Sequence, residues 1–269
     1  MAQVFAALAA HSVGLVVYPG LITAILVGYP AEITWAAISS GRWSWPEIRR
    51  RRPTPVLATV VVCSILADVQ LAVPFNPVPS DERSVVVAAI ALAFTAWAEL
   101  ALTVEHVAEP RLLLIVQACW LLAVLGPAVQ PQSLQPQVLG NVLVPALLPL
   151  KAASAVLYLA CLPALLRVWP FLPSGDRRAE PRLDAARGLC WLPYCGLFTT
   201  LYFPPAADDP VGWLRFFGIT AAVAIGVLLI GAFMHRRGVA LARAFYLRAI
   251  APYALIVLVG VAATSFFDR

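Results

Sequence analysis

Charge is what this chain has least of. Asp, Glu, Lys and Arg make up 12% of its 269 residues, against about 25% in a soluble domain. Lysine occurs once, as Lys151. So little charge leaves no room for a separate soluble domain, and residues 1–269 read as one integral-membrane domain. The five cysteines, Cys63, Cys119, Cys161, Cys190 and Cys195, form no CxxC pair and all lie in apolar segments. Cys190 and Cys195 are five apart, a poor spacing for sharing a helix face. They read as small buried hydrophobes, with no ligand set for a metal, haem or iron–sulfur cluster. Also missing are an HExxH pair, a glycine-rich phosphate loop, an aspartate pair spaced for a metal in a loop, and a Ser–His–Asp arrangement. No cofactor and no catalytic residue of the chain's own is expected. The net charge of +5 does not point to nucleic acid, because the arginines sit in short loops beside apolar runs. The start, Met1-Ala2-Gln3-Val4, has no basic n-region and reads as the beginning of a first span, not a cleaved signal.

What the chain does have is apolar length. Hydrophobic residues make up 61% of it. Eight runs approach the roughly 20 residues that cross a bilayer: 4–27, 56–73, 85–102, 112–129, 138–166, 188–203, 216–234 and 249–267. The sixth is short and holds Pro193. The fifth holds Pro145, Pro149 and Pro163, so a kink or break is expected there. The loops between runs alternate in charge. The first carries Arg42, Arg49, Arg50, Arg51 and Arg52; the third, Arg111; the fifth, Arg167, Arg177, Arg178, Arg182 and Arg187; the seventh, Arg236, Arg237 and Arg243. The even loops carry Asp81 and Glu82 with Arg83, then no charge near Gln130, then Asp208 and Asp209. Arginine counting puts the odd loops in the cytoplasm and both termini outside. The fold class is all-α: a polytopic membrane helix bundle of about eight transmembrane helices, in a bacterial or archaeal cytoplasmic membrane. Residues 31–53 are expected to form a cytoplasmic interfacial helix and basic loop, with Trp43 and Trp45 as interface anchors. Residues 167–187 are expected to form a second cytoplasmic loop.

Because charge is costly in lipid, the intramembrane charges are the candidate functional residues. Asp68 lies deep in the second run. It is either a proton-relay acid or a packing acid bonded to a neighbour such as Gln70. Glu99 stands near the end of the third run, and Glu105, His106 and Glu109 follow within ten residues. They form either an acidic vestibule that passes protons or a solvated turn at the membrane surface. Lys151 lies inside the fifth run, either as the basic partner of Asp68 or Glu99 or as a snorkelling side chain. His11 and His235 read as structural or surface residues.

Several segments together resemble the subunit 1 family of respiratory complex I and its relatives in group 4 membrane-bound hydrogenases and formate hydrogenlyase. They are YPAEITWAAISSG followed by RRRRP; PVLATVVVCSILADVQLAVPF from Pro55 to Phe75; EPRLLLIVQACWLLAVLGP from Glu109 to Pro127; WPFLPSGDRRAEPRLDA from Trp169 to Ala185; and the final FMHRRGVALARAFYLRAIAPYALIVLVG. The acid–proline–leucine opening of the fourth run is similar to the hydrogenase branch. The resemblance implies eight spans, an outside N-terminus and a membrane subunit of an oxidoreductase complex. Such a subunit docks a cytoplasmic iron–sulfur or hydrogenase-like module and carries part of a proton path. On this chain the path residues would be Asp68, Glu99, Glu105, Glu109 and Lys151. The docking residues would be Arg49, Arg50, Arg51, Arg52, Arg177, Arg178 and Arg182. Other membrane subunits and lipids are the implied partners. Leu172, Gly175 and Leu165 stand where the family has acids, so no catalytic quinone chemistry is expected, although a lipid or quinone could fill a degenerate cavity. A standalone transporter or channel, and a purely structural membrane subunit, are the rival readings.

The orientation is testable without partners. With a cysteine placed at Ser174, a membrane-impermeant thiol reagent applied to whole cells should leave it unlabelled. Ready labelling there would invert the assignment of sides.

Overall fold

A computed structural model describes residues 12–41, 47–48, 54–102, 110–129, 133–141, 147–169, 182–234, 237 and 239–267. The architecture is a helix bundle. A five-residue helix α1 (Ser12–Val16) leads into α2 (Leu21–Ser40). The hairpin α3 (Pro55–Val69) and α4 (Val85–Leu102) follows, then α5 (Pro110–Leu125) with a closing 3-10 turn, Gly126–Val129. A short α6 (Pro136–Asn141) precedes α7 (Leu148–Leu165) and α8 (Ala185–Tyr202). Last come α9 (Pro210–Met234), α10 (Val239–Phe245), a π turn at Tyr246–Ile250 and α11 (Ala251–Phe267).

The boundaries follow from local chemistry. Pro55, Pro110, Pro136 and Pro210 open helices, where a missing N–H costs nothing. The Thr54 side chain accepts from the Leu57 N–H at 3.2 Å and caps α3. Asp184 caps α8 by accepting from the Ala186 N–H at 3.2 Å. Gly41 ends α2 at φ 67°, and its N–H donates to the Ala37 carbonyl at 2.9 Å.

Among the described residues, five helical segments are long and apolar enough to cross a membrane: Gly14–Ser40, Arg111–Ala128, Leu148–Leu165, Pro210–Met234 and Ala240–Ala263. Pro55–Val69 and Val85–Glu99 are shorter apolar helices. Within the fifth apolar run the described residues include α6 and α7, and Pro163 lies inside α7; Pro145 lies outside the described residues. Large apolar side chains such as Leu26, Phe94, Leu229 and Ile256 are exposed on the outer helices, the surface a hydrocarbon solvent covers.

Two features differ from the sequence reading. Residues 31–40, expected as an interfacial helix continuing from the first run, are the packed second half of α2, and Glu32 and Trp35 there are each 1% exposed. The reason is packing. α2 lies along α8 and α9, and Trp35 fills the space beside Gly231 of α9. The second feature is a parallel pairing of β1 (Glu47–Ile48) with β2 (Arg182–Leu183), which ties the first long basic loop to the second.

Helix α8 is the centre. It packs on α2, α3, α4, α6, α7 and α9, and from Gly188 to Tyr202 every residue is buried. Its crossing with α2 is made by two glycines. A Cβ on Gly28 would stand 1.7 Å from the Gly188 carbonyl oxygen. Gly28→Val should therefore push α2 off α8 and cost about 3 kcal/mol or more. Gly226→Val, where a Cβ meets nothing within 4 Å, should leave stability nearly unchanged. Thermal unfolding of the two variants in detergent checks the contrast.

Candidate functional site

Two buried ion pairs stand at the end of the bundle where α2 finishes and α8 begins. Glu32 of α2 receives the guanidinium of Arg187, the third residue of α8. The Arg187 Nε donates to the two carboxylate oxygens at 3.0 and 2.9 Å, and its Nη2 donates to Oε1. The Trp191 indole N–H donates to Oε2 at 3.3 Å, and the Asp184 N–H donates to Oε1 at 3.3 Å. A carboxylate buried this deeply is tolerated because it is both paired and hydrogen-bonded.

The second pair joins Glu99 of α4 to Arg167, just past α7, at 2.9 Å. Arg167 sits at φ 53°. Its N–H donates to the Ala164 carbonyl and the Val168 N–H to the Pro163 carbonyl, the bonding of a Schellman helix end. Glycine is the usual residue in that left-handed position; an arginine there costs roughly 1–2 kcal/mol of backbone strain. The site keeps it because the guanidinium reaches Glu99.

A line of polar groups leads inward from Glu99. The Cys190 thiol of α8 donates to Glu99 Oε1 at 3.4 Å and to the Ala186 carbonyl at 3.3 Å. The Ser64 hydroxyl of α3 lies 3.8 Å from the same sulfur. Asp68 follows on α3, four residues on and on the same face. It is fully buried, and neither carboxyl oxygen has a hydrogen-bond partner among the described residues. Native structures rarely leave such a group orphaned, so this carboxyl calls for a proton, a water or an ion.

Beyond Asp68 the far end is closed by a clasp. Asn76 donates to the Val69 and Leu71 carbonyls at 3.0 and 3.1 Å. Arg83 donates through Nε and Nη2 to the Val78 carbonyl at 2.9 and 2.6 Å. The Gln70 side chain accepts from the Ser84 N–H at 2.7 Å, and the Tyr18 hydroxyl donates to the Pro74 carbonyl at 2.7 Å. Burial pulls the Arg83 pKa down, and the nearby Asp208 carboxylate pushes it back up.

The expected residues thus fall in three places. Asp68 and Glu99 are both buried, and Cys190 and Ser64 lie between them without a bond to Asp68. Lys151 is elsewhere: it donates to the Gly140 carbonyl at 2.8 Å and the Leu139 carbonyl at 3.5 Å at the end of α6. It pairs with neither acid. Lys151 and Arg167 stand at opposite ends of α7, about 24 Å apart along the helix, and Glu99 already has Arg167. Arg182 lies in β2. Glu105, Glu109, Arg49, Arg50, Arg51, Arg52, Arg177 and Arg178 lie outside the described residues.

Sequence reasoning does not single out Glu32, Arg167, Arg187, Ser64 or Cys190. A usable signal exists for two of them. Arg187 comes three residues after an aspartate that reads as an N-cap, which places it inside the helix. Glu32 lacks any break between itself and the preceding apolar run. Each single truncation of the Glu32–Arg187 pair, Glu32→Met or Arg187→Met, should cost about 3–5 kcal/mol by leaving one buried charge unpaired. The double variant should cost far less than the sum of the two. A double-mutant cycle on thermal or denaturant unfolding in detergent reads this directly.

No protein-family model matches this sequence, and no curated protein matches it. Among solved structures, the chain is similar to a chain of the membrane-bound sulfane sulfur reductase (MBS), an archaeal respiratory membrane complex. The TM-score is 0.57 at 12% identity, over 90% of this chain and 97% of that one. At this identity the likeness shows a shared fold, that of a multi-pass helical membrane protein.

Proposed function

We propose that this chain is a membrane subunit of a respiratory oxidoreductase complex related to complex I and the membrane-bound hydrogenases. On this reading it anchors a cytoplasmic electron-transfer module and carries part of a proton path. The observation that carries the reading is the fold, which runs along nearly all of a chain from a respiratory membrane complex. The path is supported by the buried Asp68, which no described protein group satisfies, and by Glu99, which stands toward the end where the basic loops meet. Glu105 and Glu109 would extend the path from Glu99 to water. Lys151, held at the α6 carbonyls, has no part in it.

The docking face would be the arginines of the two basic loops, Arg49 to Arg52 with Arg177, Arg178 and Arg182. The pairing of Glu47–Ile48 with Arg182–Leu183, beside these arginines in sequence, supports a shared face. A cluster of that sign suits an acidic partner surface and speeds its encounter. Electrons would pass through the partner's iron–sulfur groups, and quinone chemistry would lie outside this chain.

The test joins assembly and transport. The chain should co-purify from mild detergent with other membrane subunits and a soluble redox module. Asp68→Asn and Glu99→Gln should leave that assembly intact and impair proton translocation by it. A lone protomer, stable and active in transport, would overturn membership in a complex. Normal pumping by both variants would make the acids structural and the chain an anchor.

A further inference from the structure

The proton path read for Asp68 and Glu99 has a gap, because the two acids stand on different helices and do not meet. Four observations bear on what fills it. Cys190 is buried on the central helix and directs its thiol at Glu99 Oε1. Ser64 is fully buried, and its hydroxyl is within reach of the same sulfur. Asp68 lies one turn beyond Ser64, its Cβ about 5–6 Å from that of Ser64. Both carboxyl oxygens of Asp68 are unpartnered among the described residues.

We propose that the Cys190 thiol and the Ser64 hydroxyl link Glu99 to Asp68, forming a four-group relay that crosses α4, α8 and α3. The inference rests on the proton-path reading above and supplies the groups between its two acids. Side chains in a helix lean toward its N-terminus. The Asp68 carboxyl therefore leans over the turn that begins at Ser64. The last step spans that turn, by rotation of the carboxyl or through one water. A proton that arrives on Glu99 is taken up at Cys190 Sγ as the thiol gives its own proton to Ser64 Oγ. The hydroxyl in turn gives its proton to the Asp68 carboxylate. One proton enters and one is delivered, and rotation of the S–H and O–H groups resets the line. No oxidant or reductant takes part.

The geometry also gives the relay one mouth. Past Asp68, the Asn76 and Arg83 clasp occupies the carbonyls of Val69, Leu71 and Val78, and Leu71, Ala72 and Val73 are buried apolar residues. The polar side chains there, Asn76, Arg83 and Gln70, are bonded to backbone groups. Asp68 is loaded from the Glu99 side.

The thiol makes this testable on the purified full chain in lipid nanodiscs, without partner subunits. The probe is transfer into deuterium oxide followed by infrared spectroscopy. The Asp68 carboxyl band, assigned by its loss in Asp68→Asn, is followed at a pH low enough to protonate it. Cys190→Ala should slow deuterium exchange at Asp68 about tenfold or more, the effect of losing one such hydrogen bond. Cys190→Ser, which keeps a group able to accept and donate, should exchange at close to the native rate. Ser64→Ala should slow exchange as Cys190→Ala does, and gives the same reading if the latter fails to fold. Native-rate exchange in the alanine variants, or slow exchange in Cys190→Ser, would overturn the relay. Neither result touches membership in a complex, which is decided by co-purification.

Discussion

A bilayer core offers no hydrogen-bond partner, so the polar groups inside this bundle turn to other parts of the chain, with Asp68 the exception that bears on the proposed function. Helix α8 carries most of that burden. It is enclosed by protein on all sides and yet holds Arg187, Cys190, Trp191, Tyr194, Thr199 and Thr200. Each reaches beyond its own helix. Arg187 and Trp191 bond Glu32 of α2, and Cys190 bonds Glu99 of α4. The Tyr194 hydroxyl donates to the Leu92 carbonyl of α4, and the Thr199 hydroxyl meets Thr220 of α9 at 3.0 Å. Thr200 accepts from the Ala72 N–H. Interhelical bonds of this kind contribute about 0.6 kcal/mol each in a membrane. Their number, and not the strength of any one, fixes the register of α8 among its neighbours.

Tyrosines extend the same rule outward. The hydroxyls of Tyr158, Tyr202, Tyr246 and Tyr253 donate to carbonyls of Tyr194, Ala123, Ala160 and Ala153, each on another helix. The rings pack together, with Trp120 lying 6.0 Å from Tyr158 and 5.6 Å from Tyr194 between centroids. These tyrosines place a large apolar body in the core and spend their one donor on a backbone oxygen of another helix. They are bolts between helices. That separates them from the Glu99–Cys190–Ser64–Asp68 line, where every member can both receive and release a proton.

The two ends of the bundle are built differently. At one, charges are paired across helices and the backbone is strained at Arg167. At the other, Asn76, Gln70 and Arg83 spend their polar groups on the end of α3 and the backbone that follows it, closing the turn between α3 and α4. Strain kept in place by an ion pair is a recurrent mark of functional sites. The clasp, in contrast, is a closure: its side chains bond backbone groups of the turn between α3 and α4, and Tyr18 ties that turn to the start of the chain.

The sequence alone determined that the chain is a membrane helix bundle, because no other class tolerates so many apolar runs and so little charge. It also placed Asp68 and Glu99 inside that bundle, since position within a run fixes depth. What it did not determine is which helix lies at the centre. Residues 188–203 form a short run of low hydropathy, and the reason is that α8 meets protein and not lipid. Polar residues on it lower its hydropathy while serving as contacts. Nor did the sequence decide partners. Glu32 reads as an interfacial acid until α2 is seen to be continuous, and Arg167 and Arg187 read as loop charges until α4 and α2 bring acids to them. Lys151 reads as a counter-charge and is instead a cap for α6. Pairing depends on which faces meet across tens of residues of separation, and periodicity within one helix carries no record of that; only tertiary packing decides it.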